Sequence, residues 1–265
     1  MTPILLAGSF AGVFLISGIA SSVGIGGGVL YVPLLLALGL EFRDAASTSL
    51  AVIMVTSASA SVSYFRSRRI DWRLLLILEP LSTAGAFAGG FFAGHISDFI
   101  LKIIFSGVLM VTCYLMFRSP VAGVDRVDLP EQGVSAGNQM RSGYRAKLPQ
   151  LIFISALAGS ISGMIGIAGG TLKVPVMVLV GGIPISIAIG TSAAMVGMTA
   201  AAGFAGHFAS GHFSLLLLMP ALIAAILGGQ IGPRISQRVK STQLRKLFAF
   251  VLLLVSVVML VEALW

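Results

Sequence analysis

The chain has 265 residues, of which 57% are hydrophobic and only 10% are charged, and its mean hydropathy is +1.03. Soluble domains carry about 25% charged residues, so this composition excludes that class and predicts an all-α polytopic membrane protein in contact with the lipid bilayer. The formal net charge of +8 does not indicate nucleic-acid binding, because the basic residues lie mostly in short loops, where they mark the cytoplasmic side of a membrane.

Ten apolar segments follow one another along the chain, five in each half. Those of the first half are residues 3–23, 29–40, 45–64, 74–94 and 99–117. Those of the second half are residues 148–165, 171–181, 188–208, 215–232 and 244–264. We therefore predict an N-terminal transmembrane repeat over residues 1–117, a polar linker over 118–147 and a C-terminal transmembrane repeat over 148–265.

A glycine-rich stretch interrupts the apolar sequence at the same place in each half. The sequence GIGGGVLYVP begins at Gly24, and its twin GIAGGTLKVP begins at Gly166. The match continues beyond it, since Thr48-Ser49 corresponds to Thr191-Ser192, and Pro80 corresponds to Pro220. Flexible backbone that recurs inside apolar segments is typical of broken transmembrane helices around a binding site.

Loop charges indicate how the two repeats are oriented. The loop after the third segment is strongly basic in the first half, whereas its counterpart at residues 209–214 carries no formal charge. The loop after the fourth segment is balanced in the first half and basic in the second. Because basic loops stay in the cytoplasm, the same loop is inside in one half and outside in the other. This pattern predicts inverted-topology repeats, a cytoplasmic linker and both termini outside.

An inverted repeat needs an odd number of crossings in each half, and two arrangements satisfy this. Either all five segments cross the membrane, or three cross and the first two form a re-entrant hairpin. The second arrangement stays open because residues 29–40 reach only about 18 Å as a helix, which is too short for a hydrocarbon core of about 30 Å.

The chemistry expected at the breaks is anion binding. A helix that begins at Val29 or Thr171 would point free N–H groups and a partial positive charge into the gap, and Lys173 adds a full charge beside it. The alternatives are that the glycines only bring helices together and that Lys173 extends to an interface. The residues predicted to bind the anion lie at or near the breaks: Gly26, Gly27, Gly28, Tyr31, Thr48, Ser49, Gly169, Gly170, Thr171, Lys173, Thr191 and Ser192.

Three further ionisable residues lie in or beside apolar segments. Glu79 is a candidate for proton coupling, and its alternatives are an ion pair with Arg73 or a position near the interface. Because its repeat partner is Met219, we place it outside the symmetric site. His207 and His212 flank a loop and are expected to be interfacial. No metal spacing, cofactor motif or enzyme motif is present, and the sequence predicts neither an enzyme nor a cofactor.

The paired glycine motifs, the Thr-Ser pair after each of them and the basic loop before the fourth segment resemble the sulfite exporter TauE/SafE family. The resemblance covers the whole chain except the linker. It implies movement of small sulfur-containing or organic anions, such as sulfite, sulfoacetate or thiosulfate, across the bacterial inner membrane. Matched residue by residue, it points to Gly24, Gly26–Gly28, Pro33, Thr48 and Ser49 in the first half, and to Gly166, Gly169, Gly170, Pro175, Thr191 and Ser192 in the second. Ala168 departs from the pattern where the first half has Gly26, and we expect it to restrict the backbone there.

The resulting hypothesis is a secondary transporter that exports small anions, such as sulfite or an organosulfonate, across the inner membrane by alternating access. An inside-negative potential favours anion exit by about 2.3 kcal/mol per charge per 100 mV, so export needs no obligatory proton coupling. The alternatives are an importer or channel for anions such as thiosulfate, and a membrane subunit that transports nothing. The sequence is also compatible with a homodimer of two copies of the chain.

Overall fold

A computed structural model describes residues 3–23, 27–118, 147–211, 218–236 and 253–259, which form helices and turns and include no β-strand. The helices are α1 Pro3–Val23, α2 Gly28–Ala37, α3 Phe42–Arg66, α4 Trp72–Ala93, α5 Asp98–Arg118, α6 Leu148–Ile165, α7 Gly170–Leu179, α8 Ile185–Ala209 and α9 Leu218–Ser236. Residues 253–259 are also helical. Nearly all of the predicted linker, and most of the last predicted segment, lie outside the described residues.

Several helices are suited to a bilayer. Among the described residues, α3, α4, α6 and Ser186–Ala209 of α8 are long and apolar enough to cross a membrane. Large apolar side chains on their outer faces are exposed, including Phe65, Leu76 and Phe153. By contrast, α2 and α7 have 10 residues each, about 15 Å of helix, and cannot cross. The multi-pass membrane protein that the composition predicts is confirmed.

The two halves of the chain pack through matching pairs of helices. The first helix of each half contacts the fourth helix of the other, which pairs α1 with α9 and α6 with α4. The third helices, α3 and α8, contact each other, and each also contacts the other half's fourth helix. Every such pair has a counterpart, as expected of two repeats, and the inverted orientation of the second repeat stays a prediction.

Small residues let these helices approach closely. Gly89 of α4 lies against Ser160 of α6, and Gly163 of α6 lies against Ala86 of α4. On the other side of the molecule, Gly228 of α9 lies against Ser17 of α1. Glycines at these positions let backbones meet, as is common between membrane helices. These glycines therefore have the role that the sequence analysis gave as an alternative, which is to bring helices together.

The two glycine-rich stretches meet in the protein interior. A Cβ atom added to Gly28, the first residue of α2, would lie 2.7 Å from the Gly166 carbonyl oxygen and 2.7 Å from Cα of Ile167. Gly166 in turn lies against Ala46 of α3. All of these residues are buried. The irregular backbone is therefore enclosed by protein, the arrangement that lets such backbone exist at membrane depth.

Replacing Gly28 with Ala is expected to lower the free energy of unfolding by about 1–3 kcal/mol, because the new methyl group overpacks two fixed backbone atoms. Gly107→Ala in α5 is the control. Nothing lies within 4 Å of a Cβ there, and Ala is favoured over Gly inside a helix by about 0.5–1 kcal/mol. Thermal unfolding of both variants in one detergent measures the difference, and equal stabilities would contradict the contact.

Candidate functional site

The second helix break is a short non-helical turn between α6 and α7. The amides of Gly166 and Ile167 both donate to the Ser162 carbonyl at 3.0 Å, which ends α6. Gly169 then adopts a left-handed conformation with φ of 73°, and α7 begins at Gly170. The chain changes direction here while the last turn of α6 keeps its hydrogen bonds.

Ala168 adopts a left-handed conformation in this turn, with φ of 58°. This backbone geometry costs a residue with a Cβ about 1–2 kcal/mol. Ala168 is fully buried in an apolar cluster with Tyr31 and Ile53, so packing holds it there. The residue that was expected to restrict the backbone instead takes a glycine-like conformation under strain. Its counterpart Gly26 lies outside the described residues, as does Gly24.

Both short helices begin in the same way. Gly27 precedes α2 with φ of 82°, as Gly169 precedes α7. The first amides of a helix have no partner within it, and together they give the helix start a partial positive charge. Thr171, in the first turn of α7, is buried, and its hydroxyl has no hydrogen-bond partner among the described residues. The start of α7 therefore offers several buried donors.

A buried ion pair lies one turn further along α7. Lys173 Nζ is 2.8 Å from Glu79 Oε2 and donates to Thr199 Oγ1 at 2.6 Å. The Thr199 hydroxyl in turn donates to Glu79 Oε1, which also accepts from Thr83 Oγ1 at 3.2 Å. Lys173 is 3% exposed, and Glu79 and Thr199 are fully buried. Three helices thus contribute to a closed polar cluster: α4 supplies Glu79 and Thr83, and α7 and α8 supply one side chain each.

The pairing changes the interpretation of Glu79. The sequence offered Arg73 as its partner and placed it outside the symmetric site, but Glu79 contacts Lys173 directly. Sequence spacing missed this because the contact depends on packing between the halves: α4 packs against α8, and α7, which carries Lys173, packs against α8 as well. A charged pair without water is worth little to stability, since desolvation of both groups offsets their attraction. The pair therefore indicates a function more than a structural need.

The first half contains a neutral version of this cluster. Tyr31 occupies the repeat position of Lys173, and Thr56 occupies that of Thr199. The Tyr31 hydroxyl is 2.7 Å from Ser17 Oγ and 3.2 Å from Thr56 Oγ1, all buried. The repeat thus places a hydrogen-bonded cluster beside each short helix, one made of hydroxyls and the other charged.

Two of the four residues in the predicted Thr-Ser pairs form side-chain hydrogen bonds with backbone groups. Ser49 donates to the Gly166 carbonyl at 2.8 Å, which ties α3 to the second break. Thr191 accepts from the amide of Asp71 at 2.9 Å, just before α4. Thr48 and Ser192 are buried, and the Thr48 hydroxyl has no partner among the described residues. Of this set, Thr48 is the hydroxyl left for a ligand.

His207 was expected at an interface, and that expectation is wrong. The side chain is buried, and its Nε2 lies 3.0 Å from the Gly163 carbonyl oxygen of α6. Its repeat counterpart Tyr64 donates to the Ser21 carbonyl of α1 at 2.8 Å. Each residue ties the third helix of its half to the first. His212 lies outside the described residues.

A small cavity opens beside Lys173. It is lined mainly by apolar side chains, among them Leu78, Ile154 and Met195, with Ser155 and Lys173 as polar members. The Ser155 hydroxyl is buried and has no hydrogen-bond partner among the described residues. Space, a buried cation and an unused hydroxyl thus coincide at one point. Among the described residues, no group of His, Cys, Asp and Glu is placed to hold a metal ion.

Thr56, Thr199 and Ser17 are site residues that the sequence interpretation missed. A sequence signal existed for the two threonines, because each lies eight residues after the threonine of the predicted Thr-Ser pair in its half, Thr48 or Thr191. Residues at that spacing lie on nearly one face of a helix. Ser17 has no such signal, because the repeat places Gly159 at its position.

Comparisons with known proteins agree with this architecture. A family model described as sulfite exporter TauE/SafE matches residues 9–259. A probable membrane transporter protein of Bacillus subtilis, YunE, is 26% identical over 95% of this chain and 96% of its own length. A probable membrane transporter protein of Methanocaldococcus jannaschii is 23% identical over 90% of this chain and 89% of its own. No solved structure matches the chain significantly.

Removing one member of the ion pair is expected to be more damaging than removing both. Lys173→Met should lower the free energy of unfolding by about 3–5 kcal/mol, because Glu79 then stays buried without a counter-charge. Adding Glu79→Gln should restore most of that loss. Asp98→Asn is the control, since the Arg43–Asp98 pair is 27% and 42% exposed and should be worth about 0–1 kcal/mol. A double variant as unstable as Lys173→Met would contradict charge compensation.

Proposed function

The chain belongs to the sulfite exporter TauE/SafE family and is a membrane transporter, and we propose that it exports small sulfur-containing anions, such as sulfite or an organosulfonate, by alternating access. The observation that carries the anion assignment is Lys173, a cation buried beside a helix break and a cavity. A buried ionisable residue in a membrane protein marks a substrate or ion path in most cases.

The surroundings of Lys173 support an oxyanion as its ligand. The start of α7 directs amides toward the break, and Thr171 and Ser155 add buried hydroxyls with no partner among the residues that the structure describes. Hydroxyls and helix N-termini both donate hydrogen bonds to oxygen anions. The apolar remainder of the cavity suits a small substituent on the anion, as an organosulfonate carries.

The reciprocal packing of the halves supports alternating access. The start of α2 meets the break that precedes α7, and each short helix lies against the third helix of its own half. In transporters with inverted repeats, one unit rocks against the other around a fixed central site. In this proposal the membrane is the bacterial inner membrane, the linker is cytoplasmic and both termini are outside, as the loop charges predict. A homodimer stays open.

Sulfite efflux from proteoliposomes, with equal pH on both sides, tests the proposal. We expect saturable efflux down a sulfite gradient, inhibited more strongly by organosulfonates than by acetate or sulfate. The double variant Glu79→Gln/Lys173→Met, which leaves no unpaired charge, should reduce the rate at least tenfold. The control variant Arg73→Gln, which removes an exposed cation from α4, should leave the efflux rate within about twofold of that of the unaltered protein.

Four outcomes would contradict the proposal or parts of it. Flux that does not saturate would indicate a channel, and flux in the inward direction alone would indicate an importer for anions such as thiosulfate. No flux of any tested anion by folded protein would favour a membrane subunit that transports nothing. An unchanged efflux rate in the double variant would show that Lys173 does not belong to the substrate site.

A further inference from the structure

We propose that Glu79 occupies the anion's place on Lys173, so that a singly charged oxyanion binds only as Glu79 takes up one proton. This inference rests on the proposed anion transport and adds its coupling and the charge of its substrate. The structure carries it through the direct contact of the Glu79 carboxylate with Lys173 Nζ at 2.8 Å. A carboxylate is itself a small oxyanion, and here the Glu79 carboxylate binds the Lys173 ammonium, which is the group that an anionic substrate would bind.

The charge balance of the site explains the exchange. Without substrate, one ammonium faces one carboxylate, and the cluster is neutral. If an anion joined while Glu79 stayed ionised, two negative charges would share one positive charge in a site without bulk water, which is strongly unfavourable. If the anion replaces the carboxylate and Glu79 gains a proton, the cluster is neutral again. One anion and one proton enter together, and both leave together.

Among the described helices that pack against α4 or α7, no other ionisable group contacts Glu79 or Lys173. α5, which contacts α7, carries Asp98 in its first turn, but that carboxylate pairs with Arg43. α6, which packs against α4, has no ionisable side chain between Leu148 and Ile165. In α7 the only one is Lys173, and in α8 it is His207. His207 lies eight residues beyond Thr199, about 12 Å along the helix, and contacts the Gly163 carbonyl. On α4 itself, Arg73 is exposed near the start of the helix. Glu79 is therefore the group that must change charge.

Hydrogen bonding around Glu79 fits both of its charge states. The ionised carboxylate accepts from Lys173, Thr199 and Thr83. Once protonated, the acid can donate to the Thr199 hydroxyl, because a hydroxyl both donates and accepts. Glu79 can thus lose its contact with Lys173 and still keep a hydrogen-bond partner, because Thr199 stays beside it. Thr199 also keeps its own contact with the Lys173 ammonium.

The other half of the chain shows that the fold does not require this pair. Around α2, the neutral residues Tyr31, Thr56 and Ser17 form the corresponding cluster with the same helix arrangement. Met219 stands at the repeat position of Glu79 and is exposed. A structural need for charge would apply to both halves, whereas a transport role needs one charged site.

The test uses methanesulfonate, the anion of a strong acid, so that a proton cannot travel on the substrate itself. Proteoliposomes with a pH-sensitive dye inside receive external methanesulfonate, and uptake and internal pH are followed together. We expect one proton per anion, uphill uptake driven by an acidic exterior, and a rate that changes less than twofold under a potential of 100 mV set with potassium and valinomycin.

Glu79→Gln gives the matched variant, since the amide imitates the protonated acid. It should exchange internal for external methanesulfonate but lose net, proton-driven uptake by at least tenfold, because its empty site holds an unpaired lysine. Methanesulfonate should raise its melting temperature more than that of the unaltered protein, and independently of pH. Glu41→Gln, a neutralised exposed carboxylate before α3, should behave as the unaltered protein.

Each remaining outcome separates the coupling from the transport function. Methanesulfonate flux that responds to potential but not to pH would overturn the coupling and leave anion transport intact. Flux of sulfite without any of methanesulfonate would overturn the assignment to singly charged oxyanions. Net, pH-driven uptake by Glu79→Gln would remove Glu79 from the mechanism. Absence of all anion flux from folded protein would overturn the proposed function as well.

Discussion

Backbone polar groups in a bilayer must find partners inside the protein, and this requirement organises the centre of the molecule. A helix that breaks at membrane depth frees carbonyls and amides, so each break must be covered by other helices. The Ser162 carbonyl accepts hydrogen bonds from three amides of the turn that follows it, and the Ser49 hydroxyl of α3 donates to the Gly166 carbonyl. The same third helices hold the first helices through Tyr64 and His207. The site depends on this enclosure, because only enclosed backbone can stay irregular.

Within that frame, the two halves differ mainly in charge. Tyr31 and Lys173 occupy equivalent positions, and each contacts a threonine of the third helix in its own half. A hydroxyl cluster is stable when dry, whereas a lysine there requires a counter-charge. Glu79 provides it from α4, a helix of the opposite half. The repeat therefore supplies the geometry, and one substitution with its compensation supplies the chemistry.

Sequence reasoning reached the all-helical membrane class and the helix segments that the structure describes, because these depend on composition and local pattern. The inverted orientation of the repeats stays a prediction. Hydrophobic runs fix where helices lie, and the glycine-rich stretches fix where they break, whereas Pro33 and Pro175 lie inside the short helices α2 and α7. The contacts of Glu79 could not be predicted, because Arg73 is near it in sequence and Lys173 is distant. Glu79 and Lys173 meet only because α4 and α7 both pack against α8. The roles of Ser49 and Thr191 were also hidden, because a hydroxyl that binds backbone and one that binds substrate look alike in a sequence.

The ion pair also bears on the direction of transport. The sequence suggested that membrane potential alone drives an anion outward, and that reasoning assumed that no buried carboxylate takes part. Under the proposed exchange of Glu79 for the anion, one anion and one proton move together without net charge, so the membrane potential does not act on their transport. The anion gradient and the proton gradient together then set the direction. Export requires an outward anion gradient that exceeds the inward proton gradient, which suits a transporter that removes an anion produced inside the cell.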